Sequence, residues 1–481
     1  MLQQELSFNA VQSVPAGIIA KAYAPDVVTK ELAIFRNEDE KRRITLSTNF
    51  LTLMGWEVGM RHDVLPMAQG GLSVTFNPNG RQKVYQRKYN ARKNNPFETQ
   101  IEIKNQSILD SGIPQYTERV HFEMRRGEIL IRPLKNQTFS IRKSLTDRTS
   151  PELAAFVAMT AGVDVRCLMD TGFKIDSILE YRPQEKRDKS DFTETGVINI
   201  LANANPRAVF NEDITKVDMK MVDRVIQEGP PIACLHLCLP CDDFSNLKNS
   251  KAKNSSIESL DTSVDLLYDG LRLIETVRPA VVMLEQVPGF FNSPEGRLFA
   301  IKLRKWGYYV SEALLNGIEQ GGLTNRTRYY LVASVWPGFE MPAPADNDVS
   351  DRLWKLVEEH LHECRDVTHT QSLQDGITSG RLRPLTKGSK FCPTVTKSQN
   401  RQAKDSVYIE KDGRYFLPTV ELLSKLQGIP SDFNYSNVGE TIASEIIGQG
   451  IDYPMHERLS TAVYDHIQLN AGSRLMINIT K

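Results

Sequence analysis

The chain has 481 residues, 40% of them apolar and 25% charged, with no net formal charge. That length exceeds one ordinary hydrophobic core and implies two or three domains. No apolar run reaches the roughly 18 residues that a membrane-spanning helix needs, and the first residues lack the basic segment and apolar core of a secretory signal. The chain has six cysteines, and with Cys234, Cys238 and Cys241 packed into one short stretch they do not resemble a disulfide framework, so a reducing cytoplasm is the expected location.

The zero net charge conceals an asymmetry. Residues 1–150 hold 22 Lys and Arg against 15 Asp and Glu, and the remainder holds 37 against 44. The basic excess is densest at Arg81, Lys83, Arg87, Lys88, Arg92 and Lys93. Such a run suits phosphate contacts through counterion release, and it equally suits a solvated loop between strands. This first region reads as β-rich and carries an internal repeat. Residues 44–76 lie without a gap on residues 101–133 at an offset of 57. Each copy predicts a strand, a short segment ending in Gly, a second strand, a Gly turn and a third strand. With Gly55-Trp56-Glu57-Val58-Gly59, the first copy resembles AbrB-type swapped-hairpin barrels, in which two copies close one small barrel and many members bind DNA.

Near residues 140–150 the sequence turns rich in Ser, Thr and Arg, and a domain boundary is expected at 150. Strand-like and helix-like segments then alternate, which predicts a doubly wound α/β sheet. A first strand is expected from Phe156 into a turn at Ala161-Gly162, a helix over 163–171, and a second strand from Phe173 to Leu179 that ends at Glu180. An acid at that point is what a doubly wound fold sets against a ribose hydroxyl. Residues 209–214 would carry the third strand tip, with Asp213 and Ile214 at its end.

The apolar run 231–239 reads as a buried central strand and delivers Pro240-Cys241-Asp242-Asp243-Phe244-Ser245 to its carboxyl end, where open α/β sheets place their chemistry. Cys241 therefore occupies a nucleophile's position. Cys234, Cys238 and Cys241 also have the spacing of an iron-sulfur triad, but on a strand the first two share a face and read as small buried hydrophobes. Residues 246–256 read as a polar loop that could close over a substrate or simply cover the surface. A helix over 261–275 precedes the buried strand 280–284, whose end presents Glu285-Gln286-Val287. Thr324, Arg326 and Arg328 lead into a strand at 329–334, where the two arginines share a face. Residues 338–413 are irregular and include Arg381, Arg383 and Phe391–Thr396. His360, His362 and Cys364 lack a fourth ligand at a zinc-like spacing, so no metal site is expected. Leu426-Gln427-Gly428-Ile429-Pro430 and Ile447-Gly448-Gln449 precede a last amphipathic helix.

Taken in order, Pro-Cys, Glu-x-Val, Arg-x-Arg before a strand, Leu-Gln-Gly-x-Pro and the late Ile-Gly segment resemble the motifs of DNA cytosine-5 methyltransferases over residues 152–470. The resemblance implies an S-adenosyl-L-methionine-dependent, Rossmann-like catalytic core over 151–337, a target-recognition region over 338–413 and closing motifs over 414–481. It implies duplex DNA as the partner, with no membrane and no obligate protein partner. Cytosine C5 is a poor nucleophile, so the family adds a thiolate to C6 and makes C5 enamine-like. Cys241 takes that role, Glu285 is the acid placed at N3, and Arg326, with Arg328 on its face, answers the charge that develops on the ring. Ala161, Gly162, Glu180, Asp213, Ile214, Pro240 and Gln449 fall where the family binds its cofactor. Departures are visible as well. Ala158 and Thr160 stand where the first motif has glycines, Gln286 and Gln449 where the family has Asn, and Thr324 where it has Gln. These changes leave room for a derivative of the methyl donor, for RNA as the substrate, or for a DNA-binding regulator that no longer turns over.

Overall fold

The computed structural model describes residues 24–93, 96–182, 192–241, 243–244, 254–255, 258–259, 262–345, 349–380, 382, 384–401 and 406–472. Most of the expected 246–256 loop, with Arg381 and Arg383, lies outside the described residues. The chain divides into two compact units, Met1–Ser140 and Ile141–Lys481.

In the first unit, strands β1 (Val28–Ala33) and β2 (Phe35–Arg36) precede the repeat. The first copy folds as β3 (Arg42–Ser47), α1 (Phe50–Leu53), β4 (Arg61–Pro66) and β5 (Leu72–Phe76). After β6 (Gln82–Lys83) and β7 (Tyr85–Lys88), the second copy follows as β8 (Phe97–Ile103), α2 (Gln106–Gly112), β9 (Arg119–Arg125) and β10 (Glu128–Pro133). Equivalent strands pair with each other. Ile44 faces Ile103 and Leu46 faces Ile101, while Leu72 faces Ile131 and Val74 faces Ile129. Each such pair becomes the other when the repeat offset is added to one partner and subtracted from the other, so the two copies are related by a pseudo-two-fold axis. Alternation puts Ile44, Leu46, Val74, Ile101, Ile103, Ile129 and Ile131 into one core with Trp56 and Phe122. Half of the basic run lies in strands, Lys83 in β6 and Arg87 and Lys88 in β7, whose residues are all exposed, and Arg87 and Arg92 lie over the Tyr89 ring at 4.8 and 4.1 Å.

The boundary between the units falls ten residues before the expected position of 150. The Ser/Thr-rich stretch is a helix, α3 (Gln137–Thr146). Its Ile141 and Leu145, one turn apart, enter the core of the second unit.

The second unit is built on a seven-stranded sheet. Its strands are β11 (Leu153–Ala158), β12 (Phe173–Leu179), β13 (Ala208–Phe210), β14 (Ile232–Cys238), β15 (Val281–Gln286), β16 (Tyr309–Asn316) and β17 (Thr327–Ser334). They lie in the order β13-β12-β11-β14-β15-β17-β16. The first five are parallel, and β17 runs antiparallel to β15 and to β16. Strands buried on both faces read as unbroken apolar runs, as β11 and β14 do. Chain order reverses between β11 and β14, so the crevice at their carboxyl ends is the position where such sheets bind ligands. A second core gathers Trp354, Leu385, Cys392, Leu423 and Ile446, beside a small sheet of β18 (Arg365–Asp366), β20 (Arg414–Leu417) and β19 (Ile409–Lys411). The expected boundary at 413 cuts the β19–β20 hairpin, because Asp412 and Gly413, with φ of 52° and 75°, form its turn.

Candidate active site

The loop from β11 into helix α4 (Val163–Asp170) turns through two left-handed positions, Met159 at φ 64° and Gly162 at φ 116°. Gly162 carries no steric penalty there, and its N–H donates to Thr160 Oγ1 at 3.2 Å. Thr160 therefore does local work in place of the expected glycine: its hydroxyl also donates to Asp164 Oδ1. Ala161 offers its carbonyl to Asn199 Nδ2 at 2.7 Å, while Asn199 Oδ1 is buried with no hydrogen-bond partner. An unanswered acceptor beside this loop suits a polar cofactor.

The neighbouring strand tips complete the crevice. Glu180 follows β12 and is buried; that burial, with Asp164 nearby, pushes its carboxyl up to about 8. Asn211 Nδ2 donates to the Glu180 carbonyl at 2.8 Å and joins the ends of β12 and β13. Asp213 accepts from the N–H and hydroxyl of Thr215 at 3.0 and 2.8 Å, and Ile214 is buried in the core. Gln449, at the end of the Glu440–Gln449 helix, is exposed.

Strand β14 ends at Cys238, and Leu239-Pro240 carries the chain to a half-buried Cys241. Two contacts fix this turn: Phe244 N–H donates to the Cys241 carbonyl at 3.0 Å, and Gln286 Nε2 donates to the Leu239 carbonyl at 2.8 Å and to the Pro240 carbonyl at 3.3 Å. Gln286 is 1% exposed and accepts from its neighbour Val287 N–H at 2.7 Å. The residue that departs from the Glu-Asn-Val pattern is thus the brace of the Pro240-Cys241 turn. Asp243 accepts from the Thr262 hydroxyl and the Ser263 N–H, each at 2.8 Å, and so joins the turn to the segment after 261.

Glu285 stands beside this turn because β14 and β15 pair in parallel, with Cys238 opposite Glu285. Across β17, Arg328 Nε lies 2.9 Å from Glu285 Oε1. That oxygen receives no well-aligned hydrogen bond and keeps a lone pair for a ligand. Arg326 has a different position from the one expected. It is 2% exposed, and its guanidinium donates to the carbonyls of Val395 at 3.1 Å, Gly448 at 3.2 Å and Gly450 at 2.6 Å. Burial, with Arg328 close by, draws its pKa down to about 9. It answers the carbonyl end of the Glu440–Gln449 helix, where a cation is favoured, so the arginine placed against the acid is Arg328.

Several partners here have no linear signature. The Thr324 hydroxyl donates to Asp452 Oδ2 from 128 positions away. Asp452 is buried, which raises its carboxyl to about 6. Arg182 and Glu445 form a buried ion pair at 2.6 Å. Cys392 is stitched to the arginine motif, its N–H to the Leu323 carbonyl and its carbonyl to the Asn325 N–H, both at 2.8 Å, so part of the expected recognition region braces the core. The iron-sulfur spacing does not gather its three cysteines: Cys234 is in the core, and among the described residues Cys238 clusters with Asp164 and His236. His360 is engaged by Lys425 at 2.9 Å and His362 is exposed, so they do not converge with Cys364.

Among the described residues no helix is long and apolar enough to cross a membrane. Over 260 residues the chain is 24% identical to the Type II methyltransferase M.Bsp6I of Bacillus sp. (strain RFL6), an alignment that covers 50% of this chain and 81% of that one. It is 27% identical over 238 residues to the Type II methyltransferase M.MspI of Moraxella sp, covering 46% of this chain and about half, 52%, of that one. Among solved structures, the Entamoeba histolytica methyltransferase EhMeth superposes with a TM-score of 0.48 and 15% identity, covering 66% of this chain and 99% of its own. Residues 189–464, more than half of the chain, match the C-5 cytosine-specific DNA methylase family, and the chain belongs to that family.

Proposed function

We propose that the chain methylates C5 of cytosine in duplex DNA through a covalent bond between Cys241 and C6. The observation that carries this reading is the braced turn: Gln286 holds the Leu239 and Pro240 carbonyls while the adjacent residue, Glu285, stands at the same sheet edge with Arg328 against it. S-adenosyl-L-methionine is the methyl donor of this family and supplies an electrophilic methyl group. The Met159–Gly162 loop, Glu180, Asp213, Ile214, Pro240 and Gln449 are the residues that would hold it.

In this reading the Cys241 sulfur attacks C6 as Glu285 hydrogen-bonds the ring at N3, and Arg328 steadies the polarised base edge. Arg326 serves by fixing the C-terminal motif to the start of β17. After methylation, a water molecule takes the C5 proton, the C5–H electron pair restores the C5–C6 double bond, and Cys241 leaves C6 as the thiolate. The base reaches these groups only by leaving the stack, and residues 338–413 are the proposed reader of flanking sequence. The Type II relatives make restriction-modification the proposed setting. For the first unit we keep the AbrB-like barrel and DNA binding as proposals, supported by the pseudo-two-fold pairing and the exposed cationic β7.

Duplex DNA carrying 5-fluorocytosine tests the reaction, because fluorine cannot leave as the proton does. A donor-dependent covalent adduct is expected with the unmodified chain and none with Cys241→Ala. Nucleoside mass spectrometry should show one methyl on cytosine. Labelling of tRNA in preference to duplex DNA, or no adduct across varied sequences, overturns the proposal.

A further inference from the structure

We infer that Asp164, His236 and Cys238 form a binding site for one divalent metal ion of the zinc class. The site uses neither Cys241 nor Glu285 as a ligand, and its presence does not depend on the reaction proposed above.

The geometry begins with alternation on β14. His236 and Cys238 project to one face, towards the first turn of α4, where Asp164 waits. His236 Nε2 lies 2.9 Å from Asp164 Oδ2 and 3.1 Å from Cys238 Sγ, and Cys238 Sγ lies 3.5 Å from the same carboxylate oxygen. Three lone-pair donors thus converge on one point. Bonds of about 2.0–2.3 Å in a tetrahedron would set such edges at roughly 3.3–3.6 Å, so a metal asks the trio to open by only a few tenths of an ångström.

Hydrogen-bond accounting favours an ion over a proton. His236 Nδ1 faces the Met283 carbonyl at 3.2 Å, an acceptor, so this nitrogen carries the hydrogen. Neutral imidazole then has its lone pair at Nε2, and the single Cys238 thiol hydrogen is the one donor that must serve both this nitrogen and Asp164 Oδ2. A carbonyl or carboxylate on the far nitrogen of a histidine ligand is the usual way a metal site orients it. The alternative is a buried imidazolium paired with the Asp164 carboxylate, which carries a desolvation cost for both ions. One cation would use the three crowded lone pairs together.

Charge points the same way. Binding releases the Cys238 proton to solvent, and carboxylate plus thiolate neutralise a doubly charged ion. The ion would fasten α4, which starts at the Gly162 loop, to β14, which ends at the nucleophile turn.

The test is metal content and spectroscopy on the full chain purified without chelator. One zinc per chain is expected. Cobalt exchange should give tetrahedral d–d bands and a thiolate charge-transfer band that is lost in Cys238→Ser and kept in Cys241→Ser. X-ray absorption on the zinc-loaded unmodified chain should show one sulfur with nitrogen and oxygen neighbours, which settles the matter even where a variant fails to fold. A chain that retains no zinc or cobalt after loading and dialysis overturns the inference. So does a metal shell without sulfur, or a charge-transfer band that survives Cys238→Ser or disappears with Cys241→Ser.

Discussion

Gln286→Leu removes the brace of the Pro240-Cys241 turn while nearly conserving side-chain volume. The buried amide now makes three hydrogen bonds, two as donor to Leu239 and Pro240 and one as acceptor from Val287. A typical bond contributes about 1 kcal/mol net, and a buried polar group left without a partner costs about 1–3 kcal/mol. The Leu239 carbonyl, on a residue only 6% exposed, is poorly placed to find water instead. Because the 3.3 Å bond to Pro240 is weak and Val287 is partly exposed, the expected loss is about 2–4 kcal/mol. Catalysis should suffer separately, since a shift of about 1 Å in a reacting group can cost about a hundredfold in rate. Gln286→Asn restores the residue of the wider family but is one methylene shorter, so it should regain polarity without reaching both carbonyls and fall between the other two. Urea unfolding gives the stability, and single-turnover methylation of duplex DNA gives the rate. A Leu variant that unfolds within about 0.5 kcal/mol of the parent and keeps its single-turnover rate would refute the brace.

Glu180 should leave a signature in the pH dependence of stability. Its folded pKa of about 8 lies above the reference value of 4.5, so between these values the unfolded chain releases a proton that the folded chain keeps. Stability therefore falls as pH rises through that window and levels off above it, by an amount on the order of 5 kcal/mol. Glu180→Gln should flatten that decline in urea midpoints measured without cofactor, and an unchanged slope counts against the assignment. Gly448→Ala tests packing: a methyl there would meet the backbone of Thr396 and Lys397 inside van der Waals contact. A loss of about 1–3 kcal/mol or more is expected, with Arg326 losing its alignment on the Gly448 carbonyl, and a neutral substitution by thermal unfolding would contradict the close approach.

Much of the catalytic fold is legible because parallel strands buried on both faces must be apolar throughout. The second strand was expected over 173–179 and is found there, and the run 231–239 contains β14 with one residue to spare at each end. The repeat is legible for a similar reason, since the same alternation recurs at a fixed offset. Helix α3 was missed because only Ile141 and Leu145 mark its buried face in a polar stretch. The roles of Arg326 and Arg328 could not be separated from sequence, because sharing a strand face does not say what lies above each residue. Arg326 meets carbonyls that arrive from more than 120 positions away, whereas Arg328 meets the acid of the next strand. The Asp164 cluster was illegible for the same reason: His236 and Cys238 look like core residues until α4 brings a carboxylate over them.

Three of the five departures from the family pattern, Thr160, Gln286 and Thr324, have partners in this chain. Thr160 replaces a glycine, and its hydroxyl binds Asp164. Gln286 replaces an asparagine and spans from β15 to the Pro-Cys turn. Thr324 replaces a longer glutamine, and the space beside it is taken by Asp452, against which Gly317 and Gly322 press so closely that neither tolerates a Cβ. Each substitution is therefore tied to a second residue, and a change at one position leaves a buried polar group of the other without its partner. Free energies of such contacting pairs do not add. Thr160 with Asp164 and Thr324 with Asp452 are two such pairs, with all four residues buried.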